Sequence, residues 1–287
     1  MKKLYSILGN SQKLDGGAMF GNAPKAMWQK WVQVDELNRI DLACRTLLIK
    51  EESRNVLLEV GIGAFFDPQY KERYGVVESE HVLLDSLASV GLSHEDIDVI
   101  VLSHLHFDHI GGLLPQWQLE NEPGLLFPNA QILIGEEAWE RAYNPHPRDR
   151  ASFIPEILSL LKSRKNVHLV DSKTHSLLGD DYCFHFSSGH TPGMMLTEIK
   201  MPDGPIVFCA DLIPGEPWVH IPITMGYDRC AEKLIDEKSQ LLSDLFDRNG
   251  RLFFTHDAKT ALGRLGKNEK GRYCLTESFA ELNSFQS

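Results

Sequence analysis

At 287 residues and 43% hydrophobic content the chain has ample material for one large domain or two small ones. Its formal net charge of −11, with no Lys/Arg block, argues against a nucleic-acid surface and otherwise only for solubility. No apolar run reaches the about 18 residues that span a bilayer, and Met1 to Asn10 has too short an apolar stretch for a signal peptide, so the expectation is a cytoplasmic protein without a membrane partner.

Leu4 to Leu8 reads as a first strand. Leu14 to Gly21 reads as a Gly-rich loop with exposed apolar tips, and residues 1–35 as an N-terminal loop segment. Asp41 to Lys50 and Asn55 to Val60 form a predicted hairpin turning at Glu51 to Arg54. His81 to Val90 fits a short amphipathic helix ended by Gly91, and Ser93-His94-Glu95-Asp96 a helical cap. The run Ile97 to Leu102 is a buried strand, followed by Ile132 to Ile134 as strand and Glu136 to Tyr143 as helix. Ser152 to Ser163 is a helix with Pro155 in its first turn. Val167 to Val170, Tyr182 to Phe186, Met195 to Ile199 and Ile206 to Ala210 are strands, and Lys233 to Arg248 is an amphipathic helix stopped by Asn249-Gly250. Strands then helices in two successive halves predict an α+β or α/β sandwich in one domain over residues 1–287.

The chemistry concentrates in His104-Leu105-His106-Phe107-Asp108-His109, directly after the Ile97 to Leu102 strand and before Gly111-Gly112. Imidazole and carboxylate are ligand types for Zn²⁺ and similar divalent ions, and one ion takes about three protein ligands. Four candidates in six residues therefore suggest a second metal. His190 follows in Gly189-His190-Thr191-Pro192-Gly193, Asp211 ends the run Ile206 to Ala210, and His256 follows Leu252 to Thr255. Each stands at the C-terminal edge of an apolar run or in a Gly-rich turn beside one, the position from which strands deliver groups to one edge of a sheet. The five scattered cysteines form no C-x-x-C pair and read as reduced, non-ligating thiols.

This constellation resembles the metallo-β-lactamase superfamily. The resemblance implies the four-layer αβ/βα sandwich and two divalent metals, zinc foremost, with Mn, Fe or Co also accepted by such ligands. Position by position it assigns His104, His106 and His190 to one metal and Asp108, His109 and His256 to the other. Asp211 and a hydroxide would bridge the two. The family commonly has Asp where this chain has Glu59.

Within the superfamily, His106 departs from the flavin-linked oxygen reductases, which carry Glu there. The β-lactamases proper lack the His109 ligand and use a later Cys. The 31 residues after His256 are too few for the helical domain of glyoxalase II, and the arms of the tRNA-processing members are not evident. The 81 positions from His109 to His190, with Leu14 to Gly21 and Trp218 to Asp228, resemble the quorum-quenching lactonase and methyl parathion hydrolase-like group. That resemblance implies an enzyme opening a lactone, such as an N-acyl homoserine lactone, or a related ester. Phosphotriester hydrolysis is the alternative, and a non-catalytic metal-bound sensor the alternative of another class. It further implies an apolar substrate pocket walled by Met19, Phe20, Trp28, Phe107 and Trp218, with Asp108 as proton shuttle. The lactonases carry Tyr three residues after the bridging Asp, where this chain has Pro214, so His220 or Tyr227 is expected to supply the missing donor. The segment around Trp28 and Trp31 is the candidate surface for a homodimer.

Overall fold

The computed structural model describes residues 2–119 and 124–286. In chain order the strands are β1 (Lys3–Leu8), β2 (Gln12–Asp15), β3 (Arg39–Leu42), β4 (Arg45–Lys50), β5 (Asn55–Leu58), β6 (Val99–Leu102), β7 (Gln131–Gly135), β8 (Val167–Val170), β9 (Tyr182–Ser187), β10 (Met194–Ile199), β11 (Ile206–Phe208), β12 (Arg251–Phe253), β13 (Leu262–Lys267) and β14 (Tyr273–Phe279). The helices are α1 (Gly16–Phe20), α2 (Lys25–Trp28), α3 (Pro68–Arg73), α4 (Val82–Ser89), α5 (Phe107–Ile110), α6 (Glu136–Tyr143), α7 (Pro155–Ser163) and α8 (Ala231–Asp247).

The chain divides into two compact units. The first comprises Met1–Gln12, Ala43–Asp171 and Asn283–Phe285. Its six-stranded sheet has the order β1-β4-β5-β6-β7-β8. β1, β4 and β5 pair antiparallel, and β5 through β8 run parallel. The sequences explain this. Val99-Ile100-Val101-Leu102 is buried at every position, as a parallel strand covered on both faces must be. α4 buries Leu83 and Leu87, and α7 buries Ile157, Leu158 and Leu161, the one-turn spacing of a core-facing stripe. Ser93 and Asp96 form a capping box, as the sequence predicts. α7 begins at Pro155 rather than Ser152, because the proline takes the first helical position and Arg150–Ser152 closes as a separate 3₁₀ turn.

The second unit comprises Lys13–Leu42, Ser172–Leu282 and Gln286–Ser287. Its sheet has the order β14-β13-β12-β11-β10-β9, antiparallel except for the pair β11–β12. β2 and β3 form a separate two-stranded ribbon. α8 turns Leu234, Lys238, Leu241, Leu242 and Leu245 inward.

Several expectations are corrected here. The predicted strand Asp41 to Lys50 is broken: β3 ends at Leu42 and joins the ribbon, whereas β4 starts at Arg45 and pairs with β1. Residues 1–35 are not a loop but carry β1, β2, α1 and α2. Asp15 caps α1 by accepting from the Ala18 N–H at 2.8 Å, and Met19 and Phe20 are buried rather than exposed tips. β11 stops at Phe208, short of Ala210. β13 and β14 were not expected, because Gly263, Gly266 and the bulge at Arg264/Leu265 break the alternation that marks a strand. All five cysteines are free thiols, and no helix among the described residues is long and apolar enough to cross a membrane.

One ion-pair cluster ties α8 to its sheet. Arg248 grips Glu198 of β10 through Nη1 at 2.7 Å and Nη2 at 2.8 Å, and His185 lies 2.8 Å from the same carboxylate. Burial pushes the Glu198 carboxyl up, but the Arg248 and His185 hydrogen bonds outweigh it and hold it at about 2, against 4.5 unperturbed. A depressed carboxyl pKa adds stability that is full above the unfolded value and lost as pH falls through the folded one. Urea titrations of the parent should therefore lose stability between pH 4.5 and about 2, and Glu198→Gln should lack that part of the loss.

Candidate metal centre

In the first unit the ligand candidates sit at the carboxyl end of β6, where parallel sheets present groups to ligands. His104 and His109 are fully buried, and His106 is 7% exposed. His104 Nε2 lies 3.0 Å from His106 Nδ1, and the His104 and His109 ring centroids are 4.1 Å apart. His109 Nε2 is 3.7 Å from Asp108 Oδ2. The turn is pinned from below. Val60 N–H donates to His109 O, Gly112 N–H donates to Gly61 O, and a Cβ on Gly112 would lie 2.0 Å from Val60 O.

Glu59, at the end of the neighbouring β5, organises these rings. It is fully buried with φ of 62°, an αL conformation rare for this residue type. Ser103 Oγ donates to Glu59 Oε1. A carboxylate only accepts, so the serine oxygen must in turn accept from His104 Nδ1–H at 2.9 Å. Glu59 Oε2 accepts from His109 Nδ1–H at 2.8 Å. Both tautomers are thereby set with Nε2 as the acceptor, the form that ligates metal. Glu59, His104 and His109 also lie close enough to share one ion.

In the second unit, β9, β11 and β12 run in one direction, because β9–β10 and β10–β11 are antiparallel and β11–β12 parallel. His190 follows β9, Asp211 follows β11 and His256 follows β12, so all three reach the same sheet edge. A Cβ on Gly189 would lie 2.4 Å from the Leu234 backbone, so glycine lets the His190 turn approach α8. Ala210, just before Asp211, has φ of 41°, a strained value of the kind found where geometry serves a site. Asp228 Oδ1 accepts from His190 Nδ1–H at 2.9 Å, which again leaves Nε2 as the acceptor. That Nε2 lies 3.2 Å from Asp211 Oδ2, and His256 Nε2 lies 3.1 Å from Asp211 Oδ1. One carboxylate thus faces one imidazole with each oxygen.

This geometry tests whether a cation fits. The His190 acceptor nitrogen facing a carboxylate oxygen at 3.2 Å, both nearly buried, repels it unless positive charge lies between them. Imidazole Nε2 and carboxylate oxygen are also the donors preferred by Zn²⁺, and each orienting partner is present. The residues fit divalent metal.

The remaining predicted site residues are spread more widely. Phe20 stacks between Trp28 at 5.3 Å and Trp218 at 4.5 Å, and Trp218 Nε1 donates to Met19 O. Met19, Phe20 and Trp28 are thus packed core, and Trp28, 1% exposed, is not available as a surface. Phe107 packs on Phe66 and Tyr74 in the first unit. In the second unit a cavity of about 620 Å³ is lined by Trp31, Trp218, His220, His256, Arg272 and Tyr273 among others. Tyr227 is 41% exposed and is not one of its lining residues. Burial, with the Arg272 and Lys238 charges, pushes the His220 pKa down, so its ring is neutral at pH 7.

Sequence reasoning places Glu59 at a supporting or structural position but does not reach its link to two rings, and it misses Asp228. For Glu59, its place at the end of a strand beside β6 was the available signal. Asp228, 38 positions from His190, has no local signature.

The comparisons agree with this geometry. The model of the metallo-beta-lactamase superfamily matches residues 39–267. A probable metal-dependent hydrolase from Staphylococcus aureus has 23% identity and a TM-score of 0.86, covering 100% of this chain and 98% of its own. The dizinc quorum-quenching lactonase AidC has 24% identity and a TM-score of 0.75, covering 100% and 96%. At these identities the likeness is one of fold. Cytochrome P450 monooxygenase mpaDE' of Penicillium brevicompactum is 24% identical over 132 residues, 42% of this chain, and the match spans 14% of that protein's length. The chain belongs to the metallo-beta-lactamase superfamily. Fold and donor set together suit a divalent metal centre.

Removing an orienting partner typically weakens metal binding about 10–100-fold. Glu59→Gln and Asp228→Asn should each weaken Zn²⁺ binding by about that factor while the far-UV spectrum is kept, as read by competition with a chromophoric chelator.

Proposed function

We propose that this protein is a dinuclear hydrolase that opens a lactone of the N-acyl homoserine lactone type or cleaves a related ester. The observation that carries the reading is the Asp211 carboxylate, which offers one oxygen to the His190 ring and the other to the His256 ring. A carboxylate shared in this way suits two cations better than one. His104, His106 and His190 would hold the first, and Asp108, His109 and His256 the second, with Asp211 common to both. This assignment follows the superfamily motif, and the internal geometry of each unit supports it. When bound, two such cations, zinc foremost, would lower the pKa of a water and polarise the carbonyl it attacks.

The chain's own residues would do the rest. The cavity in the second unit is of ligand-binding size, and His256 belongs to its lining, so a substrate seated there would meet the centre. Trp31, Trp218 and Tyr273 would take an acyl chain by apolar contact. The neutral His220 ring on the same wall would donate a hydrogen bond to the carbonyl oxygen as negative charge develops, the part that Pro214 cannot play. Asp108, with its side chain only 13% exposed, would pass a proton to the departing alkoxide.

The test is proton release from a long-chain N-acyl homoserine lactone by protein loaded with Zn²⁺ or Mn²⁺. The parent should turn the lactone over. His106→Ala and Asp211→Ala should lose bound metal and turnover together, and His220→Ala should lower kcat while keeping its metal. Full activity in His106→Ala would sink the reading. Loaded protein that cleaves only phosphotriesters would move the substrate class, and protein inert toward lactones, esters, thioesters and phosphotriesters would indicate a sensor.

A further inference from the structure

Lys238 lies on the buried face of α8 and is fully enclosed. Packing does not call for an amine there. Leu234, Leu241, Leu242 and Leu245 surround it on the same face, and an apolar side chain would continue their stripe. A buried ammonium is costly unless its protons find acceptors. Lys238 Nζ donates to Ile223 O at 2.6 Å and to Trp218 O at 3.1 Å. Both acceptors are main-chain carbonyls, one at each end of a single turn.

What that turn carries gives the contact its meaning. Trp218 is fixed at its start by the Phe20 stack and the bond to Met19 O. His220 lies inside it, on the cavity wall. Beyond it the chain runs to Asp228, whose Oδ2 accepts from Met225 N–H at 2.7 Å while Oδ1 holds the His190 ring. The segment 218–228 therefore holds His220 and Asp228 together, and the Lys238 ammonium clasps its first half.

We propose that Lys238 is a positioning residue: by clasping the Trp218 and Ile223 carbonyls it holds His220 on the cavity wall and Asp228 against His190. Its effect on turnover rests on the hydrolase reading given above, whereas the clasp itself does not.

The test compares Lys238→Met, which keeps the stem and removes the donors, with Leu242→Ala, which weakens the same helix and keeps them. The first readout is the downfield proton resonance of His190 Nδ1–H, and the second is Zn²⁺ affinity by chelator competition. Lys238→Met should broaden or shift the resonance and weaken Zn²⁺ binding by about tenfold. Leu242→Ala should lower Tm with both readouts at parental values. A parental resonance and parental affinity in Lys238→Met, or equal changes in both variants, would overturn the proposal. If Lys238→Met does not fold, Lys238→Gln is judged on the same two readouts. Neither readout needs turnover, so a parent that hydrolyses nothing would remove the proposed activity and leave the clasp standing or falling by itself.

Discussion

A buried carboxylate facing the acceptor nitrogen of a buried imidazole is tolerable only if positive charge lies between them, and the second unit is arranged around that constraint. Asp228 takes the Nδ1 proton of His190 and so commits Nε2 to face Asp211 as an acceptor. In the first unit Glu59 does the same for His109 directly, and for His104 through Ser103. Asp211, nearly buried and facing the acceptor nitrogen of His190, is left with a charge whose cost is high without a cation, and a divalent ion suits these donor atoms. Metal affinity is therefore expected to depend on Glu59 and Asp228 as well as on the candidate ligands they orient.

The sheets explain how distant residues meet this constraint. The candidate ligands leave from the carboxyl ends of β6, β9, β11 and β12 rather than from strand interiors. In the second unit the three strands share a direction, so His190, Asp211 and His256 arrive at one edge although 66 positions separate the first from the last. The strained φ values at Glu59 and Ala210 mark where the chain departs from strand geometry to aim a carboxylate.

That logic also divides what was legible in the sequence from what was not. The His104 to His109 cluster was legible because its spacing is local and follows an apolar run. His190, Asp211 and His256 were legible only because each ends such a run or stands in a Gly-rich turn beside one. α4, α6, α7 and α8 were found from their apolar periodicity, with errors confined to their ends. Asp228 was not legible, since a carboxylate that reaches a ring across 38 positions leaves no pattern in the chain. The Met19–Phe20–Trp28 cluster was misjudged for the opposite reason. Glycines beside apolar residues read as a loop tip, but here they let α1 pack tightly: a Cβ on Gly16 would lie 2.5 Å from the Trp28 ring. β13 and β14 escaped because their glycines and bulge interrupt the period of two.

Pro214 ties its segment to a candidate metal ligand. Its carbonyl accepts from the His256 N–H at 2.9 Å, so the residue helps fix a candidate metal ligand. Immediately after it, Gly215 passes so close to Asp257 that a Cβ would lie 2.9 Å from Oδ2, and the Glu216 N–H donates to that same oxygen at 2.8 Å. The segment 214–216 is thus drawn down onto the turn at 256–257, and at 214 it offers a ring without a donor. A hydrogen bond to a substrate carbonyl must then come from another element. His220, neutral at pH 7 and on the wall of the cavity whose lining includes His256, has the chemistry for it. The loss of a donor at position 214 and the presence of a buried lysine clasping the turn that carries His220 are, on this view, two parts of one arrangement.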